Sequence, residues 1–105
     1  MIVVRDFDLD DRDQVVALWN DAFDNPTGHN EPNGVINQKL AMKDGLFFVA
    51  ADGNSIVGTI MAGFDGHRGW LYSVAVVRVY RRRGIGARLV SHAESKLVKL
   101  GCDKL

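Results

Sequence analysis

Between Trp70 and Leu100 the chain changes character twice, and the order of those changes limits its fold more than any other feature. Trp70 to Val77 is nearly all apolar and of strand length, and the segment after it carries arginine at 78, 81, 82 and 83. From Gly84 onward Ile85, Leu89, Ala93, Leu97 and Leu100 recur at helical spacing. The pattern reads as strand, basic turn, helix. The apolar run predicts a central strand buried on both faces, and Gly101 stands where a left-handed residue would end the helix. Gly84 and Gly86 let a backbone come close to a ligand, while the first amides of a helix lack acceptors of their own and favour anions. Phosphate oxygens suit such a turn, above all those of a pyrophosphate. Two other phosphate loops do not fit. No Gly-Lys-Ser/Thr follows the glycines. Leu89 takes the place of the third glycine of a dinucleotide-binding loop, which moreover opens its fold instead of following a late strand.

The rest of the chain supplies a frame for that unit. Ile2 to Phe7 reads as a short strand. Asp8 or Asp10 can cap a helix running to Phe23, with Val15, Leu18, Trp19, Ala22 and Phe23 on its inner stripe and Trp19 and Phe23 in the core. Asp24 to Gly34 holds both prolines, two glycines and three asparagines, and reads as a loop of the kind that borders a site. A second helix is expected from Val35 to Asp44, ended by Gly45, with Ile36, Leu40 and the stem of Lys39 inward. Leu46 to Ala51 and Ser55 to Gly63 form a hairpin across Asp52-Gly53-Asn54, and a turn over Phe64 to Gly69 leads into the Trp70 strand. The expected order is β-α-α-β-β-β-α: an α/β (α+β) fold with a mixed, mostly antiparallel sheet flanked by helices. With 105 residues, 47% hydrophobic, and no repeat or linker, residues 1–105 read as one domain.

Charge narrows the partner. The formal net charge is zero, yet through Val35 eight acids oppose two arginines, a net −6 that the remainder balances with +6. The positive charge gathers at Arg78, Arg81, Arg82, Arg83 and Arg88, which suggests one locally bound anion and no nucleic-acid-coating surface. No apolar run approaches the roughly 18 residues of a membrane span, and Arg5, Asp6 and Asp8 do not resemble the start of a leader. Cys102 is alone, so no internal disulfide is expected, and a cytoplasmic setting follows. His29, His67 and His92 do not stand at metal-ligand spacing with Cys102, so no metal is expected and His92 reads as a surface residue of the last helix.

Arg81-Arg82-Arg83-Gly84-Ile85-Gly86, preceded by Val74-Ala75-Val76, fits the pattern Arg/Gln-x-x-Gly-x-Gly/Ala. In this it resembles the GCN5-related N-acetyltransferases (GNAT), and the order of elements extends the likeness over nearly the whole chain. Phe64-Asp65-Gly66-His67-Arg68-Gly69 is similar to small bacterial members of the YpeA-like kind. The resemblance implies an enzyme that transfers acetyl from acetyl-CoA, without a metal, to a primary amine on a small molecule, peptide or protein. It implies that the backbone of Val74, Ala75 and Val76 pairs with the pantetheine arm at a splay in the sheet. It also implies that Arg81, Arg82, Arg83, Gly84, Ile85, Gly86 and Ala87 hold the pyrophosphate.

Direct transfer needs a route for the amine proton. Glu31, in the loop expected at the acceptor cleft, and Asp65 and His67, in the turn before the central strand, are the candidates, with Tyr72 a weaker one. Acids of the first helix form a solvated face, or else favour a cationic amine. Two departures from the family pattern stand out: Arg78 replaces a common proline, and the further strands and helix that usually follow the signature helix, with a tyrosine general acid, are not present. The expectation is therefore a domain incomplete at its C-terminal end. Either the chain is a piece of a longer protein, or its exposed sheet edge is covered by a second copy in a homodimer. The alternative is a non-catalytic acyl-CoA-binding or oligomerising module that keeps the phosphate turn.

Overall fold

The computed structural model describes residues 1–105. Strand β1 is Ile2–Asp6, helix α1 Arg12–Ala22, helix α2 Pro32–Met42, β2 Phe47–Asp52, β3 Ser55–Phe64, β4 Gly69–Val76 and helix α3 Ile85–Lys99. The four strands form one sheet in the order β1-β2-β3-β4, every neighbour antiparallel. No helix is long and apolar enough to cross a membrane.

Strand alternation divides the core in two. Phe48, Ala50, Val57, Ile60 and Ala62 meet Ile85, Leu89, Ala93 and Leu97 of α3 on one face. Phe47, Val49, Ala51, Ile56 and Met61 meet Val15, Leu18 and Trp19 of α1 and Ile36 of α2 on the other. Gly58 makes close seating of α3 possible: a Cβ there would lie 2.9 Å from Leu89 Cδ1 and 3.3 Å from Ile85 Cγ2.

Several boundaries differ from expectation for identifiable reasons. Asp8 caps a single 3-10 turn, Leu9–Asp11, in a reciprocal capping box with Asp11, so α1 starts only at Arg12. Helix α2 begins three residues before the expected Val35, because Glu31 caps it and Pro32 takes its first position. It stops at Met42, where Lys43 turns left-handed with φ 51° ahead of Gly45. Strand β4 is an edge strand, and β2 and β3 are the central ones. Trp70 and Val74 are accordingly exposed, and most other β4 side chains are only half-buried. Trp70 lies over Gly63, where any Cβ would strike its ring. Phe23, expected in the core, is 42% exposed. His92, expected on the surface, is half-buried with its ring edge-on to Phe48 and its Nε2 buried without a partner.

Candidate functional site

The strand-turn-helix unit folds around two departures from regular geometry. The first is a bulge in β4. Thr59 faces Ala75 while Met61 faces Tyr72, so β4 carries one extra residue between those pairs, and Ser73 there has φ 53°. A relay holds the bulge. The Trp19 indole N–H donates to Thr59 Oγ1 at 2.8 Å, and that hydroxyl donates to the Ser73 carbonyl at 3.0 Å. Trp19 and Thr59 are both buried, so a side chain of α1 fixes the backbone of the edge strand through the sheet.

The second is the turn itself. Arg78–Tyr80 make one 3-10 turn, Arg82 has φ 66° and Gly84, the residue capping α3, has φ 78°. An arginine in the left-handed region is strained, and such strain gathers at functional sites. Every backbone amide from Arg82 to Ala87 lacks a partner within the chain, and the first helical bond runs from Arg88 to the Gly84 carbonyl. No side chain caps this helix end. A Cβ on Gly86 would meet only Val76 Cγ2, 4.0 Å away, so open space lies between the first turn of α3 and the end of β4. The arrangement fits a phosphate-bearing ligand: donors for the phosphates, clearance beside them, and an edge strand next to the gap.

The arginines divide their work. Arg81 Nε donates to the Val76 carbonyl at 3.0 Å, and Arg88 reaches the Ile2 carbonyl at 2.9 Å. The Arg83 guanidinium stacks over the Tyr80 ring at 5.0 Å. The Tyr80 hydroxyl in turn donates to Asp52 Oδ2 at 2.9 Å, tying the turn to the β2–β3 hairpin. That hydrogen bond holds the Asp52 carboxyl below its ordinary range and pushes the Tyr80 phenol up. Nothing in the sequence reading singled out the Tyr80–Asp52 pair, the Thr59 relay or Ser73. The one visible signal was a tyrosine inside an otherwise basic turn.

The three expected proton acceptors are not brought together. The Glu31 carboxylate accepts from the Asn33 and Gly34 amides at 2.8 and 3.1 Å, the work of a helix cap. Asp65 accepts from the Arg68 and His67 amides at 2.7 and 2.9 Å, and these bonds, the Arg68 one foremost, lower its pKa and make it a poor base. Both Asp65 and the exposed His67 precede Gly69, which is about 13 Å along the strand from Ser73 at ~3.3 Å per residue. Tyr72, beside the bulge, is half-buried with the Lys39 ammonium 5.3 Å from its ring centroid. Lys39 is itself buried, paired with Asp44 at 2.8 Å and with the Ala62 carbonyl.

A cavity of about 270 Å³ opens at the bulge on the α1–α2 side, lined by Trp19, Phe23, Pro26, Asn30, Val35 and Ser73. Two spaces thus flank β4, one beside the first turn of α3 and one beneath the loop after α1. No cluster of His, Cys, Asp and Glu suited to a metal ion occurs.

Residues 12–105 match the acetyltransferase (GNAT) family. An acetyltransferase of Sodalis glossinidius is 41% identical over 102 residues, covering 97% of this chain and 71% of its own length. Among solved structures, the NatC complex bound to Gag peptide and CoA is similar with a TM-score of 0.80 and 25% identity, over 97% of this chain and 70% of that one. A GNAT family acetyltransferase from Brucella melitensis in complex with acetyl-CoA has a TM-score of 0.74 at 21% identity, over 97% and 73%. Fold and relatives together define a small α/β acyltransferase. The chain belongs to the acetyltransferase (GNAT) family.

Proposed function

We propose that this chain is a single cytoplasmic domain that binds acetyl-CoA between β4 and α3 and transfers the acetyl group directly to a primary amine. The observation that carries the reading is the run of unpartnered amides from Arg82 to Ala87 beside the open edge of β4. Exposed peptide groups at a helix start and on a sheet edge are the donors that a pyrophosphate and a pantetheine amide require.

Acetyl-CoA supplies an activated thioester; the protein supplies position and charge. The amides of Arg82 to Ala87, with the Arg82 and Arg83 guanidiniums, hold the pyrophosphate. Alternation along β4 turns the Val76 peptide groups toward the free edge, so the arm adds there as a strand and Arg81 releases the Val76 carbonyl to it. The bulge at Ser73 and Val74 ends that pairing and sets the acetyl group at the mouth of the cavity. An outward amide near Val76 stabilises charge developing on the carbonyl oxygen. Because Glu31 and Asp65 are engaged by backbone amides, water at the cavity mouth takes the amine proton.

The test is to incubate the chain with acetyl-CoA and a mixture of primary amines, following free CoA thiol and acetylated amine together. Equal yields of both are expected. Thiol release without acetylated amine would mean hydrolysis. Acetyl-CoA binding without thiol release would favour the non-catalytic acyl-CoA-binding alternative.

A further inference from the structure

We infer that the acceptor is a primary amine carried on an apolar group, an arylalkyl or branched alkyl amine, seated in the cavity beneath the loop after α1. The inference rests on the acetyl-transfer reading for its reaction but not for the seat itself. Trp19, Phe23, Pro26 and Val35 make the walls, and Asn30 and Ser73 are the polar lining residues, both uncharged. A polyamine or an aminosugar needs carboxylates to replace the water it gives up. Asp24 and Glu31 each adjoin a lining residue in sequence, but neither is part of the lining, and the two carboxylate oxygens of Glu31 are spent on the Asn33 and Gly34 amides. The acidic character of the N-terminal third therefore does not reach the cavity wall. Asp11, for example, is buried against Arg5 at 2.8 Å.

Size and position agree with this class. At about 270 Å³ the cavity falls just below the roughly 300 Å³ at which drug-sized pockets begin, which leaves room for one ring and a short stem. Ser73 belongs to both the lining and the bulge, so a guest packed between Phe23, Pro26 and Val35 presents its amine at the bulge. Apolar walls also disfavour an ammonium, so the amine is held in the neutral form that attacks. In the step itself the amine nitrogen bonds to the acetyl carbon and the carbon–sulfur bond breaks, its electron pair leaving on sulfur. The amine proton passes to water and one proton returns to the thiolate, giving an N-substituted acetamide and free CoA.

Nitrogen-15 NMR of the full chain tests the seat directly, because Trp19 lines it and its indole N–H gives a separate signal; a Trp70→Phe sample assigns which of the two tryptophans is which. Phenethylamine and spermidine are titrated with and without CoA. Phenethylamine is expected to move the Trp19 signal saturably while spermidine does not. Phe23→Asp, at a half-exposed position and checked for folding by circular dichroism, is expected to weaken phenethylamine by about tenfold or more. The inference is overturned if spermidine moves Trp19 as strongly, if phenethylamine leaves it unmoved in both conditions, or if folded Phe23→Asp binds as the wild type does. Phenethylamine seating without any acetyl-CoA binding would instead sink the acetyl-transfer reading and leave the seat standing.

Discussion

Thr59 has no exposed surface, and its hydroxyl joins the Trp19 indole to the Ser73 carbonyl. Valine has the same shape without the hydroxyl, so Thr59→Val strands the buried Trp19 donor and the part-buried Ser73 carbonyl, the buried one worth about 1–3 kcal/mol. We expect a loss of about 2–4 kcal/mol in urea unfolding, with acetyl-CoA affinity falling as the bulge relaxes and Thr59→Ser restoring most of both. An unchanged urea midpoint in Thr59→Val would show that the relay does not hold the bulge. At this scale little was legible. Trp19 and Thr59 are separated by forty positions, so only the fold reveals their hydrogen bond. Glu31 is a candidate base because of the loop it stands in, and its place as the cap of α2 had one cue in the sequence, Pro32 at the helix start. Phe23 kept helical spacing with Trp19, yet α1 ends at Ala22 and leaves its ring at the cavity mouth.

Elements were more legible than their surroundings. The order of strands and helices and the strand-turn-helix unit follow from periodicity and turn residues alone. The apolar run of β4 misled about burial, because β4 lies at the sheet edge and leaves Trp70 and Val74 exposed. Two contacts between elements set the turn between β4 and α3, and both can be tested. Gly58→Ala puts a Cβ 2.9 Å from Leu89 and 3.2 Å from the Ala75 carbonyl. It should lift the first turn of α3 from the sheet, at about 1–3 kcal/mol by chemical denaturation; a variant as stable as wild type would mean that α3 is not tightly seated. Tyr80→Phe removes the bond to Asp52 while keeping the ring under Arg83. Acetyl-CoA affinity should fall several-fold, on the order of one hydrogen bond, with little change in melting temperature. Unchanged affinity would show that the turn holds its shape without that anchor.

Over the whole molecule, the acidic N-terminal third and the basic remainder are plain in the sequence, while the pH response depends on burial that no sequence pattern shows. Burial foremost, then Lys96, lowers the His92 pKa; Asp6 pulls the other way and Lys99 adds a smaller downward push. The folded state therefore binds the proton less readily than the unfolded chain, whose histidine titrates at about 6.5. The stability that neutral His92 contributes is present above that value and is lost as pH falls through the depressed folded one. His92→Phe should flatten the change in urea midpoint between about pH 7.5 and 5.5, and an undiminished pH dependence would assign the effect to another group. The gap between β4 and the first turn of α3 is the proposed seat of acetyl-CoA. Its most direct test is calorimetric titration of acetyl-CoA into the wild-type chain and into Gly86→Val, whose side chain fills the space beside Val76. Binding to the wild type that disappears in a folded Gly86→Val is the result expected; equal binding to both, or none to a folded wild type, would contradict it.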